Sequence, residues 1–183
     1  METTTLCVAG FGGQGVMTLG KFLAEAACRS TDKYVTFFPS YGAEQRGGTA
    51  NCCVVISDGY IGAPLGEEMD SLIVMNGPSL EKFLPRLKSG GTLFINSSIV
   101  PSPSGRPDVR VVQAPVTQLA LGLGSAKVLN IIMLGVYLGF TQVIAPETVW
   151  QTIERKLGAK PKLLPLNRRA FEAGLEIGRA GGA

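Results

Sequence analysis

Gly10, Gly12 and Gly15, in the run Leu6-Cys7-Val8-Ala9-Gly10-Phe11-Gly12-Gly13-Gln14-Gly15-Val16, fit the spacing G-x-G-x-x-G. Glycines so spaced permit a tight turn and close ligand approach, and a helix that follows offers unpaired N–H groups to an anion. The flanks suit that chemistry, because Leu6, Val8 and Ala9 make an apolar strand run while Val16, Leu19, Gly20, Leu23 and Ala27 fall on one helical face. Gly20 would let that face lie close to a sheet. The competing reading is a glycine turn that serves only close helix–strand packing. Two nucleotide sites are disfavoured by the surroundings. A nicotinamide site asks for Asp or Glu at the end of the second strand, where this chain has Phe38-Pro39-Ser40-Tyr41, with Glu44 several residues on. A Walker loop asks for Lys-Ser or Lys-Thr after the last glycine, and the nearest lysine is Lys21. A phosphate-bearing anion remains compatible.

A second dense group, Pro39-Ser40-Tyr41-Gly42-Ala43-Glu44-Gln45-Arg46-Gly47-Gly48-Thr49-Ala50-Asn51, joins the second and third strands. In a parallel arrangement it begins at the carboxyl edge of the second strand, beside the glycine turn, where ligands of open α/β sheets bind. Arg46 has the fork to hold a phosphate or carboxylate, and Tyr41 a flat ring and a hydroxyl. An ordinary surface loop with Glu44 paired to Arg46 is the alternative.

Other chemistries are excluded by composition. Histidine is absent, which removes the commonest general base, the Ser-His and Cys-His pairs and the commonest metal ligand. The four cysteines, Cys7, Cys28, Cys52 and Cys53, contain no C-x-x-C, so neither an iron–sulfur cluster nor a zinc knuckle assembles at the usual spacings. They read as small buried hydrophobes, with Cys52 and Cys53 on opposite strand faces. Glu67-Glu68-Asp70 reads as a solvated link. A net charge of +3 with scattered basic residues gives no nucleic-acid footprint. Arg155-Lys156, Lys160-Lys162 and Arg168-Arg169 read as a solvated C-terminal face. The start, Met-Glu-Thr-Thr-Thr, lacks the marks of a signal peptide, and the longest apolar stretch, Val128 to Phe140, falls short of the roughly 20 residues a bilayer needs. A cytoplasmic protein without membrane attachment is the expectation.

The elements that must position these groups alternate strand and helix over the first two-thirds, then become helical, an α/β pattern. A single domain over residues 1–183 is expected. Strands are predicted at Leu6 to Ala9, Tyr34 to Phe38, Asn51 to Ser57, Leu72 to Asn76, Thr92 to Asn96 and Val109 to Gln113. A crossover helix is predicted from Pro78 to Lys88, ended by Gly90-Gly91. Later helices are predicted at about 116–122, 126–140, 146–157 and 165–180, with Pro146 at a helix start. With 45% apolar and only 17% charged residues, the composition fits either a well-packed monomer or a surface partly covered by partners.

Gly10-Phe11-Gly12-Gly13-Gln14-Gly15-Val16, followed by Phe38 through Cys52, resembles the gamma subunit of 2-oxoacid:ferredoxin oxidoreductases, the pyruvate/ketoisovalerate oxidoreductase gamma family. Val54-Val55-Ile56-Ser57-Asp58, Lys127-Val128-Leu129-Asn130 with Met133-Leu134-Gly135, and Asn167 through Gly174 extend the resemblance over nearly the whole chain. It implies a Rossmann-like fold, a mostly parallel sheet flanked by helices, in a complex that oxidatively decarboxylates a 2-oxoacid to an acyl-CoA and reduces ferredoxin. It also implies thiamine diphosphate, magnesium and iron–sulfur clusters on alpha, beta and cluster-bearing delta subunits, with coenzyme A as a substrate that this chain helps to hold. The chain contains no Gly-Asp-Gly diphosphate motif, so those cofactors belong to its partners.

Carried onto this sequence, the resemblance places phosphate contacts at the backbone of Gly12, Gly13, Gln14 and Gly15 within the turn that Gly10 opens. Ser40, Tyr41 and Arg46 would hold ligand or partner, and Asn130 would reach the same cleft. Asn130 reads equally well as a buried amide satisfying backbone groups. No residue is expected to act as nucleophile or proton donor. A short chain without fused cluster cysteines leans toward 2-oxoglutarate as the oxoacid. A self-contained nucleotide-dependent oxidoreductase and a noncatalytic scaffold remain as alternatives.

Overall fold

The computed structural model describes residues 2–30, 32–41, 49–63, 67–102 and 105–181. Six strands form one sheet in the order β2-β3-β1-β4-β5-β6: β1 is Thr3–Phe11, β2 Tyr34–Tyr41, β3 Thr49–Ser57, β4 Met69–Val74, β5 Leu87–Asn96 and β6 Arg110–Ala114. β1 pairs parallel with β4, β4 with β5, and β5 with β6. β3 runs antiparallel to both neighbours, β2 and β1, so five strands share one direction and β3 alone is reversed. The sheet is therefore mixed. The second and third strands form an antiparallel pair.

Helices cover the two faces unequally. α1 (Val16–Ser30), α3 (Val116–Gly122), α4 (Leu129–Thr141), α5 (Pro146–Leu157) and α6 (Leu164–Arg179) build the larger core on one face, while α2 (Gly77–Phe83) covers a smaller core on the other. Central strands must be apolar on both faces, which is why Leu6, Cys7, Val8 and Ala9 are all buried. Val16, Leu19, Leu23 and Ala27 are buried along α1 as their periodicity requires. At Gly20 an added Cβ would lie 2.5 Å from the Cys52 sulfur, so the glycine is what lets α1 settle onto β3.

α4 is buried all round, from Asn130 to Gly139, because it lies between the sheet and α6. The contact with α6 is backbone to backbone. Cβ atoms added at Gly135 and Gly139 would strike the carbonyls of Phe171 and Leu175, and those at Gly174 and Gly178 the carbonyls of Ile132 and Val136. Two glycines four residues apart on each helix leave a flat strip, and the axes close on it.

Two expectations are corrected. α2 stops at Phe83, where Pro85 converts the chain to a single 3-10 turn over Leu84–Arg86, and Gly90-Gly91 lie inside β5 rather than at a helix end. There the pairing jumps from Met69↔Leu87 to Ser71↔Thr92, and Gly90 takes the positive φ of 77° that this irregularity needs. Cys28 is exposed near the end of α1, whereas Cys7, Cys52 and Cys53 are buried; Cys28 follows Ala27 onto the outer face of the helix. Among the described residues no helix is long and apolar enough to cross a membrane.

Candidate functional site

β1 and β4 are parallel neighbours. The chain leaves β1 toward one side of the sheet and takes up β4 on the other, so their carboxyl ends flank a topological switch point. The glycine turn sits there. It is closed by Gln14 N–H donating to the Phe11 carbonyl at 3.2 Å, and the Gln14 side chain latches it in place. Gln14 Oε1 accepts from the Phe11 N–H at 2.7 Å and from Asn76 Nδ2 at 3.3 Å, while its Nε2 donates to the Met75 carbonyl at 3.0 Å. Asn76 in turn caps α2 by accepting from the Ser79 N–H at 2.8 Å. The turn, the end of β4 and the start of α2 are thus one hydrogen-bonded unit.

Gly13 and Gly15 have φ of 92° and 73°, a backbone region costly for any residue with a Cβ. Gly15 has a second constraint: a Cβ there would lie 2.5 Å from Asn130 Nδ2, and that amide donates to the Gly15 carbonyl at 3.3 Å. Gly10 is boxed in by Gln14, Val16 and Met75, while nothing lies within 4 Å of a Cβ at Gly12 or Gly13. Among the described residues the N–H groups of Gly12, Gly13 and Gly15 have no hydrogen-bond acceptor. The expected set of four N–H groups for an anion is therefore three, since that of Gln14 closes the turn.

Gly13, Gln14, Gly15 and Asn130 share a cavity of about 300 Å³ with Thr18, Ser125, Lys127 and Asn167, walled by apolar residues of α1, α4 and α6. Its described lining carries one charged side chain, Lys127, and no carboxylate. Sequence reasoning missed Lys127 as a site residue. It lies in a single 3-10 turn, Ala126–Val128, and its own N–H donates to Ser125 Oγ at 3.3 Å; its only sequence signal is its place three residues before Asn130. A second cavity of about 260 Å³ continues past Thr18 and Phe22 to Met17, Lys21, Phe37, Pro39 and Lys156. Lys21 and Lys156 both face Glu25 there, at 3.9 and 3.0 Å.

Ser40 does not join this group. It pairs with Asn51 on β3, which pairs with Ala9, placing it two strands from the turn and on the face of the smaller core. Tyr41 ends β2 opposite Ala50. Arg46 lies outside the described residues. Because Phe11 pairs with Thr49 and Tyr41 with Ala50, the end of β2 and the start of β3 nevertheless lie at the same end of the sheet as the glycine turn. The hydroxyls of Thr18 and Ser125 have no base beside them in the cavity lining. Backbone donors, one cation and apolar walls can bind and orient an anionic ligand, and nothing among the described residues of the cavity supplies a nucleophile.

Residues 5–177 match the family described as Pyruvate ferredoxin/flavodoxin oxidoreductase. The chain is 38% identical over 174 residues to ketoisovalerate oxidoreductase subunit VorA of Methanothermobacter thermautotrophicus, covering 94% of this chain and 36% of that protein. It thus spans little more than a third of the length of that relative. It is 32% identical over 176 residues to 2-oxoglutarate synthase subunit KorC of Methanothermobacter marburgensis, covering 93% and 94% of the two chains. In fold it superposes on the gamma subunit of a keto/oxoacid ferredoxin oxidoreductase from Geobacter sulfurreducens with a TM-score of 0.88 at 28% identity, each chain covered at 100%. A 2-oxoglutarate:ferredoxin oxidoreductase from Magnetococcus marinus, solved with 2-oxoglutarate, coenzyme A and succinyl-CoA bound, gives a TM-score of 0.91 at 26% identity, over 98% of this chain and 32% of that one.

Proposed function

The chain belongs to the pyruvate ferredoxin/flavodoxin oxidoreductase family, and from that premise we propose that it serves as the gamma-type subunit of a 2-oxoacid:ferredoxin oxidoreductase. In that complex a 2-oxoacid and coenzyme A give an acyl-CoA and carbon dioxide, and ferredoxin takes the electrons. The part of this chain is to form one wall of the coenzyme A site. The observation that carries this reading is the cavity lined by Gly13 and Gly15, whose N–H groups have no acceptor among the described residues, and by Lys127, with no carboxylate in its described lining. Phosphates of coenzyme A suit such a lining, and the apolar walls suit the remainder of the ligand.

Thiamine diphosphate with magnesium, and iron–sulfur clusters, do not fit this chain's own residues: among those described, no three His, Cys, Asp or Glu side chains are grouped to hold a metal. Thiamine would supply carbanion chemistry from a partner subunit; this chain binds and orients. Alpha, beta and cluster-bearing delta subunits are the partners in this reading, with ferredoxin as acceptor of the complex. An assembly role is supported by Phe11, Tyr34, Phe38 and Tyr60, aromatic side chains left 38 to 85% exposed near the β2–β3 side of the sheet. A lean toward 2-oxoglutarate is not retained, since identity to the ketoisovalerate subunit, 38%, exceeds that to the 2-oxoglutarate subunit, 32%.

Steady-state kinetics of the complex copurified with this chain test the proposal. Lys127→Ala removes one charge-assisted contact to a phosphate, so KM for coenzyme A should rise about tenfold, equivalent to roughly 1.4 kcal/mol, while KM for the 2-oxoacid stays constant. An unchanged coenzyme A KM would overturn the placement of the ligand in this cavity.

A further inference from the structure

Cys7 on β1 and Cys53 on β3 stand directly opposite each other in the antiparallel register. Both side chains enter the smaller core, where Cys7 is 0% and Cys53 6% exposed. Directly opposed residues of an antiparallel pair have Cα atoms about 4.5–5.5 Å apart, inside the span of roughly 4.4–6.8 Å that a disulfide tolerates. Neither of the other cysteines can enter such a pair. Cys52 faces the larger core, with its thiol donating to the Val16 carbonyl at 3.5 Å, and Cys28 is exposed near the end of α1.

We propose that Cys7 and Cys53 are a peroxide-oxidisable thiol pair that closes to a β1–β3 disulfide, a covalent modification of the strand that leads into the glycine turn. Cys53 reacts first. It is the less buried of the two, and its interaction with the Cys7 thiol, aided by the nearby Arg86 charge, lowers its thiol below the ordinary value against the opposing effect of burial. Cys7 is pushed up by the same interaction and by burial, so it stays a thiol and acts second. In the first step the Cys53 sulfur attacks one peroxide oxygen; the S–O bond forms, the O–O bond breaks, and the departing hydroxide takes the thiol proton as water. Cys7 then attacks the sulfenic sulfur of Cys53; the S–S bond forms, the S–O bond breaks, and a second water leaves with the Cys7 proton. Two thiols are oxidised and one peroxide is reduced to two waters. Cys7 lies three residues before Gly10 on β1, so the crosslink locks the base of the turn to β3.

The test uses the full chain, reduced and desalted without oxygen, then treated with stoichiometric hydrogen peroxide, unfolded, alkylated and peptide-mapped by mass spectrometry. Alkylated cysteines should fall from four to two, leaving Cys28 and Cys52, as a Cys7–Cys53 linked peptide appears in proportion to peroxide and vanishes on reduction. Cys28→Ser should leave that yield unchanged. In Cys7→Ser the oxidation should stop at Cys53, where a dione probe captures the sulfenic acid. Full alkylation of all four cysteines after peroxide overturns the proposal. So does oxidation confined to Cys28, or sulfinic acid on Cys53 without the linked peptide. These readings come from the unaltered chain and stand even if Cys7→Ser fails to fold.

Discussion

Gln14 lines the candidate cavity, yet its side chain is turned to holding the glycine turn together. Its amide bonds Phe11, Met75 and Asn76, so its work is to fix the turn against β4. Truncation leaves the Phe11 N–H and Met75 carbonyl to find other partners, at about 1 kcal/mol for each of these two shorter bonds lost, the longer Asn76 contact at 3.3 Å adding little. Gln14→Ala should therefore lower stability by about 2 kcal/mol in urea unfolding and weaken coenzyme A binding by a mechanism distinct from that of Lys127→Ala, because only Gln14→Ala moves the unfolding midpoint. A variant that unfolds at the wild-type midpoint would show the latch to be dispensable. Asn130 stood between two readings in the sequence, ligand contact and buried amide. Its bond to the Gly15 carbonyl at 3.3 Å and its 6% exposure show the amide holding α4 against the start of α1 while also forming part of the cavity wall. Lys127 fell within the stretch that extends the family resemblance but carried no sign of a site role, since an exposed lysine in a short connection has no periodicity to mark it.

At the scale of elements, periodicity made α1, α5 and the strands readable, because each buries a defined face or both faces. The pairing of β2 with β3 was not. Pro39 marked the end of the second strand in the sequence, yet β2 runs on to Tyr41, and an edge strand tolerates proline because half of its ladder groups have no partner. The α4–α6 crossing was equally hidden, since glycines at 135, 139, 174 and 178 look like helix weaknesses until the partner helix is known. Here they are the contact. With backbone on both sides nothing can move aside, so Gly174→Val should lie at or beyond the upper end of the roughly 1–3 kcal/mol typical of overpacked sites. Gly122→Ala, where an added Cβ meets nothing within 4 Å, should leave the melting temperature nearly unchanged. Equal Tm values for the two variants would refute close backbone packing of α4 on α6.

For the molecule as a whole, the distribution of chemistry is one-sided. The chain has no histidine, and its described residues group no three metal-ligating side chains, while its cavity offers donors, one cation and apolar walls. In the ketoisovalerate relative this stretch makes up 36% of the length. The same stretch recurs in subunits named for ketoisovalerate and for 2-oxoglutarate, and under the proposed function the choice of oxoacid falls to other chains while this one contributes a wall of the coenzyme A site. Purified alone, this chain should bind coenzyme A yet show no oxoacid-dependent reduction of ferredoxin. Adding back the copurifying subunits should restore turnover, and leaving this chain out should reduce coenzyme A-dependent turnover sharply. Full turnover in its absence would remove the chain from the coenzyme A site, because a wall that can be omitted without raising KM holds nothing that the reaction uses.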